Sequence, residues 1–276
     1  MSKPYNNAIS HKLINTICYG RLTLESGVPI STTNQTAKTT LYFTPYNGNS
    51  VSLYDGSEWD LFSFSELSLS LSGYTANTNY DIFIYNNSGT LTLESTAWTN
   101  NTTRATALVL QDGVHVKSGA TTRRYLGTIR ITGTSGQCED SANRRFLWNY
   151  YNQVEKVSTL NYYPGASHTY TTSTWRSWNN NTTVGQTRLE VIRGLNQSPF
   201  ETKVWCEMIN GWSSIAVDST NIANSYFKAN SGGTGAADSF NKFLNINEGY
   251  HYLQTIQYGT TGSTFYSLYV QSSFLG

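Results

Sequence analysis

Charge is scarce in this chain. Asp, Glu, Lys and Arg make up 13% of its 276 residues, where an average soluble domain carries about 25%. The net charge is +1, so no global field draws in nucleic acid or an anionic membrane. Cysteine is scarcer still. Cys18, Cys138 and Cys206 are odd in number and widely spaced, which gives neither a disulfide framework nor a zinc-binding pattern. They fit folding in a reducing compartment, and Cys206, inside Val204-Trp205-Cys206-Glu207-Met208, reads as a small apolar core residue. The four histidines, His11, His115, His168 and His251, stand at no metal-binding spacing. No metal and no cofactor is expected. No apolar run approaches the roughly 18 residues of a membrane span, and Met1 to Asn7 is polar where a signal peptide would be apolar. No nucleophile elbow, P-loop or dinucleotide fingerprint occurs. Gly232-Gly233-Thr234-Gly235 lacks the lysine and flanking elements of a phosphate cradle.

Aromatics and neutral polar residues take the place of charge. Aromatics reach 14%, with 20 Tyr and 7 Trp, which excludes a disordered chain. The length suits two domains at roughly 100–200 residues each. Period-two patterns predict strands at Thr40–Phe43, Val51–Tyr54, Leu67–Leu71, Tyr80–Tyr85, Leu91–Leu93, Leu108–Leu110, Val114–Val116 and Ile129–Ile131. In the second half they predict Val157–Tyr163, Thr187–Ile192, Lys203–Met208, Ser214–Val217, Phe243–Ile246, Tyr250–Tyr258 and Thr264–Gln271. Asn47-Gly48, Asp55-Gly56, Asn86 to Gly89, Asp112-Gly113 and Asn210-Gly211 are hairpin signals, because Asn, Asp and Gly tolerate positive φ. Ser231 to Gly235 reads as a flexible loop. Asp140 to Gln153 is either a helix capped by Asp140 or an irregular connector, although Trp148-Asn149-Tyr150-Tyr151 also suits a strand. The expected fold is all-β: two β-sandwich or jelly-roll modules, at 20–153 and 154–276, behind an N-terminal arm at 1–19.

Two resemblances add to this reading. Leu41-Tyr42-Phe43-Thr44-Pro45-Tyr46, Leu53-Tyr54-Asp55-Gly56, Ala107 to Gly113 and Arg123 to Thr128 carry the first. On these pieces, residues 20–153 resemble a module shared by structural proteins of tailed bacteriophages and prophages. The resemblance covers about half the chain. It implies a virion component and identifies no reaction. The closing segment, Gly249 to Tyr258 and then Phe265 to Phe274, resembles the last strands of jelly-roll domains of the tumour-necrosis-factor and complement-head type. There an aromatic strand faces a threefold axis. It implies a homotrimer, with Tyr250, Tyr252, Tyr258, Tyr266 and Tyr269 as interface candidates. A strand with aromatics on both faces must bury both, which a symmetric oligomer can do.

Three further groups invite functional readings. Trp175-Arg176-Ser177-Trp178-Asn179-Asn180-Asn181 has the composition of a glycan site, with indole faces for sugar rings and amides for hydroxyls. The alternative is that one Trp plugs the end of the sandwich while the asparagines make turns. Leu13, Ile14 and Ile17 in the arm, with Arg144 and Arg145, are candidates for anchoring to a particle; the arginines could equally be solvated charge. Asp55, Glu58 and Asp60 around Trp59, and Glu139-Asp140, are the acid pairs a glycosidase would need. Each has a turn, edge or cap explanation, and the stacked repeats of long β-helical phage enzymes are missing. The resulting expectation is a non-enzymatic virion surface protein, folded in the bacterial cytoplasm. It would be a trimeric capsid decoration protein on the major capsid protein, or a short tail-fibre protein touching host glycans. A glycan-degrading enzyme is the least favoured class.

Overall fold

The computed structural model describes residues 14–197, 199–222, 225–228, 236–244 and 246–276, with backbone alone for 225–228 and 236–244. Leu13 and the Ser231–Gly235 loop lie outside these residues. The chain is all-β. Its first strands are β1 (Gly20–Thr23), β2 (Gln35–Lys38), β3 (Thr40–Pro45), β4 (Ser50–Tyr54), β5 (Trp59–Ser63), β6 (Leu67–Ser70), β7 (Asn79–Asn87) and β8 (Thr90–Ala97). They are followed by β9 (Leu108–Gln111), β10 (Val114–Lys117), β11 (Ala120–Arg130), β12 (Cys138–Asp140), β13 (Arg144–Arg145) and β14 (Leu147–Asn149). The second half supplies β15 (Glu155–Tyr162), β16 (His168–Thr169), β17 (Trp175–Ser177), β18 (Arg188–Arg193), β19 (Phe200–Ile209) and β20 (Trp212–Val217). It closes with β21 (Ser225–Lys228), β22 (Ala236–Leu244), β23 (Gly249–Tyr258) and β24 (Thr264–Leu275). Among the described residues no helix is long and apolar enough to cross a membrane.

Two hydrophobic cores organise these strands. In the first, Leu22, Leu41, Phe43, Val51 and Leu53 meet Ile82, Ile84, Leu126 and Ile129. In the second, a five-stranded sheet built on β15, β24, β19 and β22 faces the sheet containing β18, β23 and β20. Alternation decides which side chains enter. Along β19, Val204, Cys206 and Met208 point inward beside Leu268 and Val270 of β24. Cys206 is the apolar core residue its setting suggests. β7 departs from a simple half-wet strand. Ile82 and Ile84 enter the first core while Phe83 enters the second with Tyr125 and Trp148. β7, between the two cores, is thus buried on both faces over Asn79 to Ile84.

The turn signals divide. Asp112 and Gly113 both take positive φ and join β9 to β10 as a tight hairpin. Asp55-Gly56 and Asn86 to Gly89 also close hairpins, β4–β5 and β7–β8. Asn47-Gly48 and Asn210-Gly211 do not. They turn corners between sheets, because β3 and β4 belong to different sheets, as do β19 and β20. At the second corner a Cβ on Gly211 would sit 2.6 Å from the Phe265 ring.

No helix forms at 140–153. The segment is β12, β13 and β14. A helix would have put Asn149 on a wet face. Instead its buried amide receives the backbone N–H of Leu22 at 2.7 Å and donates to Leu22 O at 3.2 Å, standing in for a partner strand. β13 then pairs in parallel with β18, so one sheet contains strands from both sides of residue 153.

Candidate functional site

The aromatic loop is built inward. Trp178 is fully buried, edge-on to Phe265 with ring centroids 5.1 Å apart. An indole enclosed this way has no face to offer a sugar, which corrects that part of the glycan-site expectation. The asparagines that follow make turns. Asn179 and Asn180 adopt positive φ, near 51° and 52°. The Asn179 amide donates to Tyr162 Oη at 3.2 Å, and Asn181 Nδ2 donates to Gln186 Oε1 at 2.7 Å. The Asn181 carbonyl accepts from Thr187 Oγ1 and Gln254 Nε2. Trp175 packs on Tyr258, and the Arg176 guanidinium lies 3.7 Å over the Tyr170 ring. Trp175 and Arg176 remain half-buried.

The five tyrosines separate into two sets. Tyr250, Tyr252 and Tyr258 lie on β23, and each is covered from within the chain. Arg130 sits 3.7 Å over the Tyr250 ring, while Tyr250 Oη donates to Glu190 Oε1 at 2.7 Å. Burial and the neighbouring Glu190 carboxylate push that phenol well above its ordinary range. Arg188 covers Tyr252 at 4.0 Å, and Trp175 and Trp212 flank Tyr258. Tyr266 and Tyr269 lie on β24, in the other sheet. Tyr266 stands at a register shift, and Tyr269 lies opposite Trp205 of β19 and Asn161 of β15. Since Leu160, Val204 and Val270 point into the core, Asn161, Trp205 and Tyr269 form a row on the outward face. Trp205 is 38% exposed there. It was absent from the sequence candidates, although its position between inward Val204 and Cys206 dictates its direction.

The proposed anchors are tied to their own chain. Arg144 pairs with Glu190 at 2.7 Å and Glu139 at 3.3 Å. Burial opposes its charge, but the two carboxylates outweigh burial and raise its pKa. Arg145 pairs with Asp140 at 3.0 Å, and Lys156 reaches the other Asp140 oxygen at 2.6 Å. Burial lowers the Lys156 pKa and Asp140 resists that shift. Both arginines are thus engaged by carboxylates of their own chain, with Arg145 largely enclosed and Arg144 still 36% open to solvent. In the arm, Ile14 and Ile17 are half-buried. Ile14 packs near Trp59, Val114 and Val116, and the carbonyls of Asn15 and Ser52 accept from the buried Arg124 guanidinium at 2.8 and 2.7 Å.

Two of the candidate acids, Asp55 and the Glu139-Asp140 pair, have partners within the chain. Asp55 Oδ1 accepts from the backbone N–H groups of Ser57 and Glu58 and from Ser57 Oγ, and these bonds lower its pKa. Glu58 and Asp60 are exposed on either side of Trp59, and Trp59 Nε1 donates to Asp112 at 2.9 Å. Glu139 and Asp140 are held in the ion pairs just described. Among the described residues, no group of three or more His, Cys, Asp or Glu could hold a metal ion.

No family model matches the chain, and no curated protein matches it significantly. Similar solved structures include an insecticidal delta-endotoxin from Bacillus thuringiensis, 8% identical over 94% of this chain and 52% of the toxin, at a TM-score of 0.29. Another is a glycoside hydrolase family 43 arabinoxylan arabinofuranohydrolase from Bacillus subtilis, 11% identical over 90% of this chain and 66% of the enzyme, at 0.25. A third is infectious bursal disease virus, 11% identical over 90% of this chain and 73% of the viral chain, at 0.28. The chain spans about half the length of the toxin. Overlays this loose support no reading of activity.

Proposed function

We propose that this chain is a non-enzymatic surface protein of a tailed-bacteriophage particle, a trimeric decoration protein seated on the major capsid protein. The observation that carries the reading is the outward row of Asn161, Tyr269 and Trp205. Aromatic residues on the outer face of a sheet suit an interface, where they are enriched, and a closed symmetric oligomer buries such a face with copies of itself. The interface expected from the tyrosines thereby moves to the β19–β24 face, with Tyr266 and Tyr269 as members and Tyr250, Tyr252 and Tyr258 as intramolecular packing. The competing reading, a short tail-fibre protein gripping host glycans, loses its main support with the burial of Trp178. Trp175 remains to it.

Sedimentation of the purified protein should give about three times 30.8 kDa, with an interface well above roughly 1,000 Å². Trp205→Asp should return it to monomers. A wild-type chain that stays monomeric at micromolar concentration overturns the trimer. Antibody-labelled electron microscopy should place label on the head; label at the tail tip would favour the fibre reading. Attachment through the arm is tested by removing residues 1–13. That cut spares the Asn15 carbonyl that Arg124 needs, whereas a cut to residue 19 would also unfold the base of the arm.

A further inference from the structure

A polar cleft of about 580 Å³ opens where β23 begins, lined by Thr102, Asn196, Asn247, Glu248 and His251. Its walls come from both halves of the chain. Gly249 joins them: its φ is +121°, and a Cβ there would stand 2.5 Å from the carbonyl oxygen of Asn101. That close approach lets the Tyr250 N–H donate to the same oxygen at 2.8 Å.

The polar atoms of the cleft are held in place. Arg104, stacked 4.3 Å over Trp98 and paired with Asp81 at 2.7 Å, reaches across to Glu248 Oε2. Glu248 Oε1 is left to the cleft. His251 is only 6% exposed. Its Nδ1 lies 2.7 Å from Asp218 Oδ2. A carboxylate only accepts, so Nδ1 carries a proton and Nε2 is the ring's remaining hydrogen-bonding atom. Nε2 is buried without a hydrogen-bond partner, and such an atom costs free energy until one arrives. Asp218 is outside the lining and His251 is within it.

We propose that this cleft binds a neutral saccharide. His251 Nε2 and the Glu248 carboxylate call for a ligand with neighbouring hydroxyls, which can donate or accept. The amides of Asn196 and Asn247 can donate back to ligand oxygens and accept from its hydroxyls, and Thr102 adds a hydroxyl. An anion would meet the Glu248 and Asp218 carboxylates. A bare cation would find too few ligands among the described residues. Asp218 acts as a positioning residue that fixes the imidazole tautomer. The site stands whether the protein sits on head or tail.

Nitrogen-detected NMR of the histidine rings tests this, since the full chain has only four histidines. Glucose, galactose, mannose, N-acetylglucosamine and their disaccharides are the probes. One class should shift the His251 Nε2 resonance saturably at millimolar concentration. Asn247→Ala, at an exposed position, should weaken binding about tenfold, the loss of one good hydrogen bond. Asp218→Asn should weaken it similarly and change the tautomer signal before any sugar is added. The proposal fails if no sugar shifts His251. It also fails if both variants bind as the wild type does, or if zinc shifts the resonance reversibly where sugars do not.

Discussion

β23 and β24 are two tyrosine-rich strands with opposite fates. On β23 every tyrosine meets a cation or ring from its own chain, as with Arg130 over Tyr250 and Arg188 over Tyr252. On β24, Tyr269 sits in an outward row beside a 38% exposed Trp205. Aromatic content alone therefore does not mark an interface. What separates the strands is the supply of intramolecular cover. β23 lies in the middle of its sheet, between β18 and β20, and Arg130 of β11 reaches Tyr250 from the other half of the chain. Among the described residues Tyr269 is flanked by Asn161 and Trp205 of the neighbouring strands, with no cation over its ring.

Substitutions can break this contrast. The largest effect should come from Trp178→Ala, in the inward set. Emptying a fully buried indole site should cost about 3–5 kcal/mol by denaturant unfolding and much of the soluble yield. Trp205→Ala, outward, should change monomer stability by only about 0.5 kcal/mol while weakening self-association. Normal folding of Trp178→Ala would void the inward assignment.

Tyr250→Phe comes next. It removes a hydrogen bond to the Glu190 carboxylate, a type worth about 1.5–3 kcal/mol. Tyr269→Phe should lie within about 0.5 kcal/mol of wild type. Equal melting shifts for the two would erase the difference between the strands.

Acid should give the smallest effect, confined to the inward region. Burial, with the Arg176 charge adding to it, lowers the His168 pKa below its ordinary 6.5, and burial does the same at His115. The unfolded chain then binds protons more readily than the folded one. Stability is full above that ordinary value and declines as pH falls through it toward the folded-state values. Thermal melts on both sides of this window should show the decline, and His168→Asn should reduce it. An unchanged slope would place the titration elsewhere.

How much of this was legible in the sequence depended on range. Period-two runs such as Tyr80–Tyr85 and Lys203–Met208 reported strands correctly, because alternation is a local property. Trp205 was not read as outward, although the same alternation sets it opposite in direction to Cys206. Trp178 was not legible as core, since its burial depends on Phe265 in a distant strand. Asn210-Gly211 carries turn chemistry that permits a hairpin and a sheet corner equally. The strand character of 138–149 was hidden because Asn149 and Asp140 find their partners, Leu22 and Lys156, only in the folded chain. The carboxylates and amides of the cleft come from separated loops, and no spacing rule joins Thr102 to Asn196 or His251.

Arg21 carries a consequence for biosynthesis. Its side chain is almost fully buried, and burial pulls its guanidinium down to about 10. One of its acceptors is the carbonyl oxygen of Gly276, 2.7 Å away and 255 positions along the chain. A ribosome emitting roughly 5–20 residues per second separates the two groups by tens of seconds. Through that interval Arg21 can reach Pro29 O, and later Asn152 O, but lacks its third acceptor. The hydrogen bonding of Arg21 is therefore completed only when the distant end of the contact has been made. Topologies closed by such remote pairings fold slowly, and a chain cut before Gly276 would leave a buried cation short of an acceptor.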